Sequence, residues 1–150
     1  MKRLLLVLLV LSAATLSAWE YTTTEDLMAG TVSRVAMLEA AASQGTVRSP
    51  ALIIRQGATL EAFVHWGGYS VDRDLKNAFI RIGEDDAFGW RVNLSQSREA
   101  TFFHDALELL RQLDGRVVML VTSATGRDMV GLWEVTDIMD VLAALDVSME

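Results

Sequence analysis

Cysteine is missing from this chain altogether, proline occurs once and histidine only twice. Without cysteine there is no disulfide, no thiolate nucleophile and no attachment point for the lipid of a lipoprotein. If exported, such a chain depends on packing alone. His65 and His104 are too far apart in sequence for the H-x-x-x-H or H-E-x-x-H spacing of a zinc site. There is no P-loop, no G-x-G-x-x-G fingerprint and no G-x-S-x-G nucleophile elbow. Basic residues are outnumbered 13 to 20, for a formal net charge of −7. That sign opposes nucleic acid and anionic membrane surfaces as partners. No metal, no cofactor and no catalytic residue is expected.

The chain of 150 residues opens "MKRLLLVLLVLSAATLSAWEY". Lys2 and Arg3 form a positive start, Leu4 to Leu11 are unbroken apolar residues, and Ser12, Ala13, Ala14, Ser17 and Ala18 are small. This is the layout of a secretory signal peptide. The apolar run falls well short of the roughly 20 residues that span a bilayer. Residues 1–18 are therefore expected to be removed, by a cut after Ser17 or Ala18, with the mature protein in the periplasm and no membrane span left. Residues 19–150 then form one β-rich domain. It keeps 11 basic and 20 acidic residues, a formal charge of −9. A domain of this size buries about two-thirds of its unfolded surface, enough for a core without covalent staples.

Seven segments carry strand signals. They are "VSRVAMLEA" (32–40), "ALIIR" after Pro50, "TLEAFVHW" (59–66), "NAFIRIG" (77–83), "FGWRVNLS" (88–95), "RVVMLVTSA" (116–124) and "MVGLWEV" (129–135). In the third, Leu60, Ala62, Val64 and Trp66 share one face, and Glu61, Phe63 and His65 share the other. "RVVMLVTSA" is apolar on both faces and reads as a central strand. Residues 125–128 are expected to turn the chain into the last strand. Two segments read as helices. "HDALELLRQL" (104–113) has a stripe of Ala106, Leu107, Leu110 and Leu113, and Gly115 stops it. "TDIMDVLAAL" (136–145) has a stripe of Ile138, Val141, Leu142 and Leu145, and Thr136 or Asp137 is placed to cap it. The expected fold is mainly β (α+β): an antiparallel β-sandwich of about seven strands with one or two short packed helices.

The acidic groups Asp72-Arg73-Asp74 and Glu84-Asp85-Asp86 lack the alternating ligands and glycine of a calcium loop, and read as solvated turns. The pattern with most functional content lies on the polar strand faces, where Arg55, Glu61, Phe63, His65, Arg81 and Arg91 accumulate. Arginine beside a partly exposed aromatic is favoured at protein interfaces. These six are the candidate binding residues. Two other readings stay open: a small-ligand binder, and a hydrolase using His65 or His104 as base.

Several segments in order resemble a family of small exported bacterial proteins that includes the VasI-type proteins associated with type VI secretion. They are "WEYTTTEDLMAG", "SPALIIRQGATLEAFVHWGGY", "AFIRIG", "WRVNLSQSREATFF", "ALELLRQLDGRVVMLVTSATG" and "MVGLWEVTDIMDVLAAL". The resemblance implies an exported β-rich domain with no established enzyme activity; an envelope or secretion protein is the expected partner of its polar sheet face. After the "P-x-L-x-I-R" run such proteins often carry a cysteine; here the position is Gln56. The expectation from residues and resemblance together is a non-enzymatic accessory or binding protein of the cell envelope.

Overall fold

Strands in this chain form where apolar residues alternate, and the alternation decides which side faces the core. The structure is a computed structural model that describes residues 18–46, 48–124 and 126–148. Of the expected signal peptide only Ala18 falls among the described residues, and Thr125 of the expected turn lies outside them.

Among the described residues ten strands and two helices follow one another. They are β1 (Glu20–Asp26), β2 (Thr31–Glu39), β3 (Ala42–Gln44), β4 (Ala51–Gln56), β5 (Leu60–His65), β6 (Asn77–Ile82), β7 (Phe88–Leu94), β8 (Ala100–Phe103), α1 (Ala106–Leu113), β9 (Arg116–Ala124), β10 (Arg127–Val135) and α2 (Ile138–Ala144). They make a single sheet in the order β1-β2-β4-β5-β8-β7-β6-β9-β10-β3, antiparallel at every pairing. The protein is thus mainly β and antiparallel, as expected. The seven expected strands correspond to β2, β4, β5, β6, β7, β9 and β10. However, the strands lie in one curled sheet of ten, where a sandwich of about seven was expected.

The three additional strands have physical reasons to escape sequence reading. β1 is "EYTTTED", exposed throughout, with no buried face to impose a period of two. β3 has three residues and β8 four, too short to show a pattern. The curl comes from β2 and β3. The chain leaves β2, paired with β4, and within a few residues enters β3, paired with β10. Ala40 donates its backbone N–H to Pro50 O at 2.9 Å, and Ala41 to Leu132 O at 2.8 Å. One stretch of chain therefore ties both ends of the sheet together around a single core.

Trp66 and Trp133 sit at the centre of that core, fully buried, in an edge-to-face contact at 6.4 Å. Trp66 donates its indole N–H to Thr101 Oγ1 and Trp133 to Leu38 O. Leu109, Leu110 and Leu113 of α1, and Ile138, Val141 and Leu142 of α2, complete the cluster. The expected α2 stripe is buried as read. In α1, Leu110 and Leu113 are fully buried as read, but the third fully buried leucine is Leu109, while Leu107 is only partly covered.

Both helix starts differ from expectation. Asp105 and Asp137 stand before α1 and α2 in left-handed conformation and make no side-chain cap. His104 therefore precedes α1 rather than opening it. The Ile138 N–H of α2 is instead taken by Asp114 Oδ1, at the end of α1, at 2.9 Å.

Candidate functional site

Strands β4 and β5 form a hairpin, with Ala51 opposite His65 and Gln56 opposite Leu60. Its inner residues Leu52, Ile54, Ala62 and Val64 are buried, and Trp66 continues the same face. Gly67 and Gly68 turn the chain at φ +66° and +93°. Any side chain at Gly67 would overlap the Arg48 carbonyl.

On the outer side the register aligns one residue from each of four neighbouring strands. Met37 of β2 pairs with Ile53 of β4, Ile53 with Phe63 of β5, and Phe63 with Phe102 of β8. This apolar row lies on the face away from the core. Met37, Ile53 and Phe102 are half-buried, and Phe63 is only 9% exposed. Two neighbours cover Phe63. The Phe102 ring stacks on it at 4.5 Å, and the Arg55 guanidinium lies 5.3 Å from its ring centre. Arg55 is held in place by Glu61 directly opposite on β5. Its Nε donates to Glu61 Oε2 at 2.6 Å, and its Nη2 lies 2.5 Å from the same oxygen. The result is an apolar strip whose Phe63 ring is roofed by an ion-paired arginine.

The other candidate residues are placed as follows. His65 ends β5, exposed, and its Nδ1 accepts the Gly67 N–H at 3.3 Å. Arg81 and Arg91 stand on β6 and β7, also exposed and on the outer side. β7 lies three strand spacings from β4, roughly 14 Å along the sheet, and β6 one further. Arg55, Glu61 and Phe63 therefore form one cluster, and Arg81 and Arg91 stand apart from it, four residues along the β6–β7 ladder from each other. The second pair flanks Phe79, which is 56% exposed. Among the described residues neither arginine has an acidic partner.

His104 lies at the other end of β8, beside a cavity of about 340 Å³ lined also by Glu61, Asn93, Phe102, Phe103 and Asp105. Its backbone carbonyl accepts the Trp90 indole N–H at 2.6 Å. Its Nε2 is buried with no hydrogen-bond partner. Among the described residues no serine or carboxylate is hydrogen-bonded to either histidine. The acidic turns are engaged in the fold. Asp72 Oδ2 accepts from Ser123 Oγ, and Asp85 pairs with Arg116 at 3.3 Å. No group of three or more acidic or histidine side chains among the described residues is placed to hold a metal ion.

Sequence reasoning missed Met37, Ile53 and Phe102. Ile53 carried a usable signal, because "ALIIR" is apolar at successive positions and one of them has to face outward. Phe102 carried none, since its strand was not recognised.

Compared with known proteins, the chain matches no protein-family model, no curated protein and no solved structure. No helix among the described residues is long and apolar enough to cross a membrane.

Proposed function

We propose that this is an exported, non-enzymatic binding protein of the bacterial cell envelope that holds another protein against the outer face of β2, β4, β5 and β8. The observation that carries the reading is the aligned row Met37–Ile53–Phe63–Phe102, with Arg55 stacked on Phe63. An apolar strip with an aromatic pair and an oriented arginine is the composition of an interface centre. Glu61 fixes the guanidinium, so less side-chain freedom is lost on binding. Export is supported by the signal-like residues 1–18, and a link to a type VI secretion component by the resemblance of the segments quoted above.

The test is a photo-crosslinking residue placed at Ile53 and, as a control, at exposed Glu134 of β10, in cells. A discrete adduct from position 53, absent from 134 and lost with Arg55→Glu, supports the reading. Adducts at both positions, or none at 53, removes this face as the site.

A second reading rests on the cavity beside His104. A space of about 340 Å³ lined by His104, Glu61, Asn93 and Asp105 beside Phe102 and Phe103 suits a small polar ligand. A His104→Phe variant that keeps partner adducts but loses a bound small molecule would favour it.

A further inference from the structure

The sheet ends differently at its two edges. β3, at one edge, has three residues. A strand that short offers little to a foreign strand. β1, at the other edge, has seven residues paired to β2 in unbroken register from Glu20–Met37 to Asp26–Thr31. It contains no proline, no lysine and no bulge, and both its faces are exposed. Of the devices that blunt an edge, β1 therefore has only acidic charge, and among the described residues no strand pairs with its outer row of N–H and C=O groups.

The edge is also anchored at both ends. Just ahead of β1, Trp19 donates its indole N–H to Thr136 O at 3.0 Å. At the other end Asp26 holds the turn, its Oδ1 accepting from the N–H groups of Met28 and Ala29. An ordered strand loses little freedom when a partner adds to it.

The charges of β1 select that partner. Glu20 stands at one end, Glu25 and Asp26 at the other, and three threonines fill the middle. Two copies paired antiparallel about Thr23 would set Glu20 against Asp26 at both ends, and Tyr21 against Glu25. Like charges directly opposite one another destabilise a strand pair, so a second copy is disfavoured. A strand with lysine or arginine at its ends meets opposite charge at both. Residues between them would face Thr22, Thr23 and Thr24, which suit β-branched neighbours.

We propose that the free edge of β1 receives an extended segment of a partner protein, basic at both ends and β-branched between, as an eleventh strand of the sheet. This does not rest on the outer-face reading, because the edge lies beyond Met37 and uses main-chain groups. Variants at Ile53 leave it intact.

The experiment titrates the isotope-labelled protein with two synthetic heptapeptides and follows backbone amide resonances. One has lysine at each end with alternating valine and threonine between. The other has glutamate at each end. The expected result is a saturable response to the basic peptide at the amides of Glu20–Asp26, at least tenfold weaker with the acidic peptide. In E20K/E25K, where only Asp26 is left of the acidic groups, the preference for the basic peptide is lost, and in E20Q/E25Q the basic peptide binds with intermediate strength. Both variants lie on a fully exposed strand, and an unchanged unfolding midpoint establishes that they fold. Equal response to the two peptides, a response centred away from β1, unchanged affinity in both variants, or dimerisation through β1 would each overturn the proposal.

Discussion

The indole of Trp133 lies over the α-carbon of Gly131, two residues back on the same strand and facing the same core. A Cβ at Gly131 would overlap the Cη2 and Cζ3 atoms of that ring and press on Pro50 Cγ, 3.1 Å away. Nothing there is the loose end of a flexible side chain. Gly131→Ala is expected to destabilise the fold by about 1–3 kcal/mol, the cost of overpacking a filled core. Gly89→Ala on β7 is the control, since its Cβ would find ordinary contacts at 3.7–4.0 Å. It should be neutral or slightly stabilising. Urea unfolding of both variants checks the contrast, and equal midpoints would contradict it.

Asp114 caps a helix it does not belong to. Its carboxylate takes the Ile138 N–H at the start of α2, where Asp137 provides no cap of its own. Asp114→Ala should therefore cost about 0.5–2 kcal/mol, the usual worth of an N-cap oxygen. Asp114→Asn keeps an acceptor and should recover most of that loss. Thermal unfolding measures both, and an alanine variant as stable as the parent would show that water serves the amide equally well.

Arg55 and Glu61 make a pair that stabilises little and organises more. Both side chains are over a third exposed, so a double-mutant cycle should return about 0.2–1 kcal/mol. Arg55→Ala is expected to leave stability within that range while uncovering the Phe63 ring. Binding of a dye specific for exposed apolar surface should then rise, and partner adducts at position 53 should fall. Loss of several kcal/mol instead would mean that the pair is part of the fold's support.

Much of the fold was legible because burial writes a period into the sequence. "TLEAFVHW" and "FGWRVNLS" show inner and outer faces in the primary structure, and β5 and β7 point as the alternation says. "EYTTTED" shows nothing of the kind, because β1 gains its order from pairing with β2 and not from burying a side. The candidate site divides in the same way. Arg55, Glu61 and Phe63 are neighbours across one hairpin, so local register was enough to unite them. Arg81 and Arg91 belong to a strand pair separated from that hairpin by β8, and only the order of strands reveals the distance. Phe102 joined Phe63 through a four-residue strand with no sequence signature.

A chain cut after Ala18 begins at Trp19, whose indole is already engaged with Thr136 O. Intact mass spectrometry of the protein from a periplasmic extract is expected to find Trp19 or Ala18 as the first residue. A full-length mass, or a cut inside β1, would contradict the export reading. Trp19→Ala should leave the cut unchanged and loosen β1, seen as faster amide exchange at Glu20–Thr22.

Gln44 finds its strand partner in Val130, almost at the other end of the chain. Nothing that β3 pairs with exists until β10 has been synthesised, so the tie between the two ends of the sheet is among the last contacts available. Folds dominated by such distant pairings reach their native state slowly, in milliseconds to seconds. Under the proposed export, such delay would keep the chain extended for a translocation channel. Ala40 and Ala41, which carry β2 across to β10, form a clasp that shuts only once the last strands are present.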